Sequence, residues 1–159
     1  MMRWWLDKGV DGFRMDVISL ISKPNPIPHT SDADLSPYCV NGPRVHEYLK
    51  EMNANVLSKY NIMTVGECPN VNVEEASKYA GFSRNELNMV FQFEHTGLTD
   101  GKYGKWTDRK TYLPALKHVF SRWQKGLNGI SWNCLFWGNH DQPRAVSKFG
   151  SDASHAGFF

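Results

Sequence analysis

The chain has 159 residues, of which 41% are hydrophobic, 13% aromatic and 21% charged, a composition typical of globular rather than disordered proteins. Its 18 basic residues nearly balance its 16 acidic ones, and no basic tract favours binding to nucleic acid or to a membrane surface. We therefore expect one domain whose partners are small neutral molecules or other proteins.

Aromatic residues and cysteines narrow the class of protein further. Six tryptophans, six tyrosines and nine phenylalanines are compatible with sugar binding, because pyranose faces pack against rings, but composition alone favours the simpler explanation that they fill a core. Cys39, Cys68 and Cys134 form no Cys-x-x-Cys pair, so the sequence indicates neither a metal site nor a disulfide framework. No apolar run reaches the roughly 20 residues of a membrane span. We expect no cofactor and a cytoplasmic location.

The first part of the chain predicts a helix, a strand and a loop. Residues 2–8 have the pattern of the last turns of a helix. Residues 10–18 predict a strand that carries Arg14 and Asp16 on one face. The proline-rich stretch 23–42 predicts a long loop, of the kind that is usually functional or disordered.

Helices and strands alternate along the remainder of the chain. The predicted helices run from Pro43 to about Tyr60, from Asn72 to near Gly81, and over 113–127, and the predicted strands lie near 62–66, 87–93 and 132–137. Alternation without hairpin signals is typical of an α/β protein with a parallel sheet. Four strands fit an open sheet or a barrel, and no Gly-x-Gly-x-x-Gly motif supports dinucleotide binding.

Polar residues follow each predicted strand, at the edge of the sheet where α/β proteins carry out their chemistry. They are Arg14 with Asp16, then Glu67, then Glu94 with His95, and finally His140 with Asp141. Asp16 is alternatively a structural ion-pair partner of Arg14, and Glu67 a cap for the next turn. His140 and Asp141 alternatively form an ordinary loop pair, and the pair after the third strand is expected to be structural. Acidic residues at all four ends nevertheless favour a catalytic site.

Glycoside hydrolysis requires such a set of residues. A retaining enzyme uses one carboxylate as the nucleophile and a second as the general acid, roughly 5–5.5 Å apart. Neighbouring strand ends of a barrel provide that separation. A nearby arginine favours an ionised nucleophile, and burial favours a protonated acid.

Three segments carry a resemblance to a known family. GFRMDVI, TVGECP and FWGNHDQPR resemble blocks of the α-amylase superfamily, glycoside hydrolase family 13. The intervening text, including VFQFEH and QPRAVSKFG, is similar to the branch that contains oligo-1,6-glucosidases, α-glucosidases and sucrose isomerases. The resemblance covers nearly the whole chain, with the three motifs in order.

The resemblance implies a role for each residue of the predicted site. Asp16 is implied to be the nucleophile, Glu67 the general acid/base, and Asp141 a third carboxylate that binds sugar hydroxyls. Arg14 and His140 match the family's partners of the nucleophile and of the sugar. The implied substrate is a short oligosaccharide or disaccharide, and no metal is expected.

The resemblance also implies a (β/α)₈ barrel, of about 250 residues before insertions. The four predicted strands are similar to its fourth to seventh strands. The family's Asp-x-Val-x-Asn-His block and C-terminal β-domain have no counterpart in this sequence. We therefore expect residues 1–159 to be an incomplete catalytic barrel domain that is inactive alone.

Val17 bears on the choice between activities within the family. It directly follows Asp16, where valine resembles a marker of α-1,6-acting enzymes, although valine is also simply a favourable strand residue. A sucrose isomerase or transglycosidase is the alternative, and the text of residues 142–146 lacks the arginine-rich loop of many isomerases. A non-catalytic amylase-like binding subunit is less favoured, because all three carboxylates are present.

Overall fold

Helices and strands alternate along the chain, as the spacing of its apolar residues predicts. The structure, a computed structural model, describes residues 1–27 and 36–150. Its helices are α1 (Met2–Asp7), α2 (Ser36–Cys39), α3 (Val45–Asn55), α4 (Val73–Ala80), α5 (Leu113–Leu127) and α6 (Ala145–Phe149). Its strands are β1 (Gly12–Met15), β2 (Met63–Glu67), β3 (Met89–Phe91) and β4 (Trp132–Asn133). Short 3₁₀ turns cover Ile18–Leu20, Leu57–Lys59 and Thr96–Thr99.

The four strands form one sheet in the order β1-β2-β3-β4, and all neighbours are parallel. This confirms the predicted α/β class with a parallel sheet. The register pairs Met15 of β1 with Gly66 of β2, and Glu67 of β2 with Phe91 of β3. Because parallel strands end at the same edge, the residue after β1, Asp16, lies at the same edge as Glu67.

Three of the strands are shorter than predicted. The strand expected over 10–18 ends at Met15, because Val17 has a left-handed backbone conformation (φ 35°, ψ 44°) that an extended strand does not continue. Only three residues of 87–93 and two of 132–137 are strand. Among the described residues β4 pairs with β3 alone, and the ladder between them consists of Met89 with Trp132 and Val90 with Asn133.

The predicted helices agree with the structure more closely than the predicted strands do. The Asn72 side chain accepts a hydrogen bond from the Glu75 backbone N–H at 2.8 Å, which confirms the expected cap of α4. The helix expected to reach Tyr60 ends at Asn55 and is followed by a 3₁₀ turn. Helix α6 was not predicted. Of the loop expected over 23–42, residues 28–35 lie outside the described residues, and α2 is a single turn within it.

The chain divides into two compact units. The first consists of Met1–Gln92 and Gly126–Cys134 and contains the whole sheet; the second consists of Phe93–Lys125 and Leu135–Phe159. Apolar side chains from α3, α4 and β3 form the core of the first unit, among them Leu49, Tyr79 and Val90. No helix in the described ranges has the length and apolar content that a bilayer span requires.

His95 lies at the centre of an aromatic cluster in the second unit. Its ring centroid is 5.2 Å from that of Phe120, 4.8 Å from that of Phe136 and 6.1 Å from that of Phe149. The residue has no exposed surface. Burial lowers the pKa of His95 to about 4, against the opposing effect of a hydrogen bond with the Phe136 backbone. The imidazole is therefore neutral at pH 7 and packs as an aromatic residue.

Replacing His95 with phenylalanine is expected to make the protein less sensitive to acid. The pKa of this histidine is 6.5 when unfolded and about 4 when folded, so the unfolded chain takes up the proton first as the pH falls. The stability that depends on neutral His95 is complete above pH 6.5 and is lost progressively down to about pH 4, by about 2 kcal/mol at pH 5. Urea denaturation at pH 7 and pH 5 measures this loss.

The matched control is His118→Phe, because His118 is an exposed histidine on α5. Wild type and His118→Phe should lose the same stability between the two pH values, and His95→Phe about 2 kcal/mol less. An equal loss in His95→Phe would contradict the prediction.

Candidate active site

Arg14 joins two carboxylates at the carboxyl edge of the sheet. Its Nη1 donates a hydrogen bond to Oδ1 of Asp16, and its Nη2 donates one to Oε2 of Glu67. The register makes this contact possible, because Arg14 pairs with Val65 and its strand ends beside that of Glu67. The Arg14 guanidinium also lies 5.8 Å from the ring centroid of Phe91 on β3. The predicted association of Arg14 with Asp16 is present, and Glu67 shares the same arginine.

The segment after β1 packs closely against β2 because of a glycine. A Cβ at Gly66 would lie 2.8 Å from Cγ2 of Ile18 and 2.7 Å from Cδ1 of Leu87, closer than side chains normally approach. With no side chain at Gly66, the turn that begins at Ile18 lies against the strand. The backbone N–H of Val17 then donates a hydrogen bond to Oε2 of Glu67 at 3.2 Å.

Val17 does not occupy the strand position that the sequence predicts. Its left-handed conformation is unfavourable for a β-branched residue, so the explanation of Val17 as a favourable strand residue is wrong. Residues held in such conformations concentrate at functional sites, where the surrounding structure maintains them. Here the conformation brings the Val17 N–H to the Glu67 carboxylate.

The two carboxylates differ in their exposure to solvent. The Asp16 side chain is 73% exposed, whereas that of Glu67 is 6% exposed and lies at the base of the site. Cys68, the next residue, is fully buried, and burial raises the pKa of its thiol well above the ordinary value. Cys68 is therefore a protonated core residue and not a nucleophile.

His140 and Asp141 form a pair of their own in the second unit. Nε2 of His140 lies 3.4 Å from Oδ2 of Asp141, and both side chains are exposed. The Asn139 side chain accepts a hydrogen bond from the Asp141 backbone N–H at 3.0 Å, and the Lys105 ammonium donates one to the Asp141 carbonyl oxygen. The loop after β4 is thus held in place by the side chain of Asn139 within it and by that of Lys105 from another loop.

Glu94 and His95 have structural contacts, in line with the expectation for them. Glu94 accepts hydrogen bonds from Arg122 and from the Trp123 indole N–H, the latter at 2.9 Å, which fixes the segment after β3 to α5. His95 is enclosed by the aromatic cluster of the second unit. Within the described residues, no group of three or more His, Cys, Asp or Glu side chains is placed to hold a metal ion.

Three contacts of the site were not predicted from the sequence. The ring of Phe91 under Arg14 follows from strand order, which the sequence does not specify. The Val17 N–H is a backbone group, so no residue type signals it. Lys105 lies in a loop without periodicity, and its contact with Asp141 spans 36 residues.

A family model and several known proteins are similar in sequence to this chain. The family model of the α-amylase catalytic domain matches residues 1–157. An oligo-1,6-glucosidase from Halalkalibacterium halodurans is 56% identical over 98% of the chain. The chain spans only 29% of the length of that relative.

Solved structures of two enzymes are also similar to this chain. The chain is similar to a trehalose-6-phosphate hydrolase from Bacillus licheniformis, with a TM-score of 0.87 and 44% identity over 96% of the chain. It is also similar to an isomaltulose synthase from Erwinia rhapontici, with a TM-score of 0.84 and 37% identity over 96% of the chain. In both comparisons it covers 28% of the solved chain.

Proposed function

The chain belongs to the α-amylase family, and we propose that it is a segment of a retaining α-glucosidase that hydrolyses short α-glucosides such as isomalto-oligosaccharides. The 56% identity to an oligo-1,6-glucosidase supports this substrate class, and the 29% coverage of that relative supports the status of a segment. We propose that β1 to β4 are the fourth to seventh strands of a (β/α)₈ barrel. Residues 1–159 are then an incomplete catalytic barrel domain, and the proposed full-length enzyme has further barrel strands and a separate C-terminal β-domain.

The observation that carries this proposal is the arginine shared by two carboxylates at one sheet edge. Asp16 and Glu67 contact different nitrogens of the same guanidinium, an arrangement compatible with the roughly 5–5.5 Å between the carboxyl groups of retaining glycosidases. Neither an ordinary loop pair nor a helix cap requires this geometry. It suits a nucleophile and an acid that act on the same glycosidic bond.

In the proposed mechanism, Asp16 attacks the anomeric carbon of the substrate. A bond forms between its carboxylate oxygen and that carbon while the bond to the leaving oxygen breaks. The exposure of Asp16 leaves it accessible to a sugar, and the Arg14 guanidinium favours its ionised form. The product of this step is a covalent glycosyl ester of Asp16.

Glu67 serves both steps of the proposed reaction. It first donates a proton to the leaving oxygen, and it then accepts a proton from the water that attacks the glycosyl ester. The Val17 N–H and Arg14 fix the orientation of its carboxylate for both steps.

His140 and Asp141 are proposed to bind hydroxyl groups of the sugar in the first subsite. Both side chains are exposed, and the loop that carries them is fixed by Asn139 and Lys105. A carboxylate that accepts hydrogen bonds from hydroxyls there also favours the positively charged transition state. The proposed reaction needs no metal or cofactor. Free thiols at all three cysteines accord with a proposed cytoplasmic location.

Two substitutions in the full-length enzyme separate the proposed roles. Asp16→Asn is expected to abolish turnover of isomaltose and of p-nitrophenyl α-glucoside, by a factor of at least about 10³, because an amide forms no glycosyl ester. Glu67→Gln should slow the glycosylation step strongly with isomaltose and much less with p-nitrophenyl α-glucoside, because the p-nitrophenolate leaving group departs without protonation. Steady-state and pre-steady-state kinetics measure both effects.

Asp7→Asn is the matched control, since Asp7 lies at the end of α1 and bonds the Tyr60 hydroxyl. It should retain wild-type turnover. Normal activity of Asp16→Asn would exclude Asp16 as the nucleophile. Equal slowing of the glycosylation step with both substrates in Glu67→Gln would argue against its role as the acid.

Val17 is proposed to bias the enzyme towards α-1,6 linkages. Its side chain directly follows the proposed nucleophile and offers no hydroxyl to the leaving group. Val17→Thr is expected to raise the ratio of kcat/KM for maltose to that for isomaltose at least about fivefold, since such pocket changes are worth about 1–3 kcal/mol. Threonine is also β-branched, so the left-handed backbone is strained to the same degree.

Val10→Thr, before the start of β1, is the control and should leave the ratio unchanged. An unchanged ratio in Val17→Thr, or a wild type that already prefers maltose, would refute the linkage proposal and leave the glucosidase proposal intact.

A sucrose isomerase is the second candidate, favoured by the similarity to an isomaltulose synthase with a TM-score of 0.84. In that case a sugar, and not water, intercepts the glycosyl ester. Gln142 accepts a hydrogen bond from Lys148 at 3.2 Å and Arg144 precedes α6, so residues 142–144 form a short connection and residues 145–146 begin the helix. We expect glucose and fructose as the products from sucrose; isomaltulose as the main product would establish the isomerase instead.

A further inference from the structure

His140 and Asp141 occupy the centre of a tight turn in the second unit. The Gln142 backbone N–H donates a hydrogen bond to the Asn139 carbonyl oxygen at 3.2 Å, which closes a turn over residues 139–142. The Asn139 side chain also accepts a hydrogen bond from the Asp141 backbone N–H at 3.0 Å, as asparagine does at the first position of such turns. The direction of the Asp141 carboxylate therefore depends on how firmly the end of this turn, at Gln142, is held.

Lys148 holds that end of the turn. Its Nζ donates a hydrogen bond to Oε1 of Gln142 at 3.2 Å and lies 3.5 Å from Oδ1 of Asp100. Asp100 follows the 3₁₀ turn Thr96–Thr99. The lysine thus joins the turn that carries Asp141 to the segment that follows β3, within the second unit.

The backbone of Lys148 is itself held by two hydrogen bonds. Its N–H donates to the Arg144 carbonyl oxygen at 2.9 Å, at the start of α6. Its carbonyl oxygen accepts a hydrogen bond from the Thr111 hydroxyl at 3.0 Å, and Thr111 lies just before α5. The ammonium group therefore extends from a backbone that is attached to both neighbouring helical segments.

The Lys148 ammonium is buried at a cost in solvation. Its side chain is 3% exposed, and the acceptor on Gln142 is a neutral amide. An apolar side chain of the same length would fill this space without the cost of removing a charge from water. What the charge adds is a directed contact, because a hydrogen bond from a charged donor is stronger than one between neutral groups. These contacts all lie within the second unit, so the further barrel strands proposed above are not needed for them.

We propose that Lys148 is a positioning residue for Asp141, which holds Gln142 and thereby directs the Asp141 carboxylate towards the sugar. This role rests on the proposed function, in which Asp141 binds hydroxyl groups in the first subsite. A small misplacement of that carboxylate weakens its hydrogen bonds with the sugar, and most of all those that form in the transition state. Lys105, which donates a hydrogen bond to the Asp141 carbonyl oxygen, restrains the same turn at its centre.

Calorimetric titration of the full-length enzyme with deoxynojirimycin, a cationic analogue of glucose, tests this role. Lys148→Met removes the charge and keeps the length of the side chain. It is expected to raise the dissociation constant at least about tenfold, the effect of losing a hydrogen bond from a charged group. The stoichiometry should stay near one, whereas misfolding would lower the stoichiometry and leave the affinity of the folded fraction unchanged. Lys148→Arg keeps a charged donor and should bind within about threefold of wild type.

Three further variants locate the effect. Gln142→Leu removes the acceptor and should weaken binding in the same direction as Lys148→Met. Asp141→Asn should weaken binding at least about tenfold, and adding Lys148→Met to it should change the dissociation constant by less than about twofold, because the lysine acts through Asp141. Lys50→Met makes the same change at an exposed lysine of α3 and should bind like wild type. The kcat/KM for isomaltose should fall in step with the affinity.

The outcomes separate the positioning role from the proposed function. Wild-type affinity in Lys148→Met, or an undiminished further loss when it is added to Asp141→Asn, would overturn the positioning role and leave the proposed function intact. Wild-type affinity in Asp141→Asn would refute the proposed role of Asp141, and the positioning role with it. Absence of binding in the wild type would refute the glucosidase proposal and the positioning role together.

Discussion

The charge of one arginine organises the carboxyl edge of this sheet. Two carboxylates placed side by side repel each other, and Glu67 is additionally removed from water. The Arg14 guanidinium compensates both, because its two terminal nitrogens point to different acids and its planar shape fixes their directions. A lysine ammonium offers the same charge without this geometry. The remaining features of the edge, from strand register to the turn after β1, serve to keep these three groups together.

The contact of Arg14 with both carboxylates follows from the topology of the parallel sheet. Asp16 and Glu67 are 51 residues apart in sequence, yet pairing of Met15 with Gly66 brings them to neighbouring positions. Gly66 contributes by what it lacks, since any side chain there would displace Ile18 and the turn that it begins. The backbone of that turn then completes the surroundings of Glu67. Gly66 and the aromatic ring of Phe91, on neighbouring strands, thus both affect the surroundings of this carboxylate.

The sequence predicts the parallel sheet and the contact between Arg14 and Asp16, and it fails where a feature depends on distant contacts. The four strands, the cap at Asn72 and helix α5 follow from local patterns, and the structure confirms them. The lengths of β1, β3 and β4 do not, because a strand continues only as far as its neighbour and its own dihedral angles allow. Valine favours extended backbone in general, so no local rule predicts the left-handed Val17.

The unusual backbone at Val17 affects how freely that position changes over evolutionary time. A left-handed conformation costs every residue other than glycine something, and it costs the β-branched pair valine and threonine nearly the same amount. An exchange between valine and threonine therefore changes the stability of the fold very little, while it changes the side chain beside Asp16. Under the proposed role of Val17, such an exchange shifts substrate preference without requiring compensating stability elsewhere.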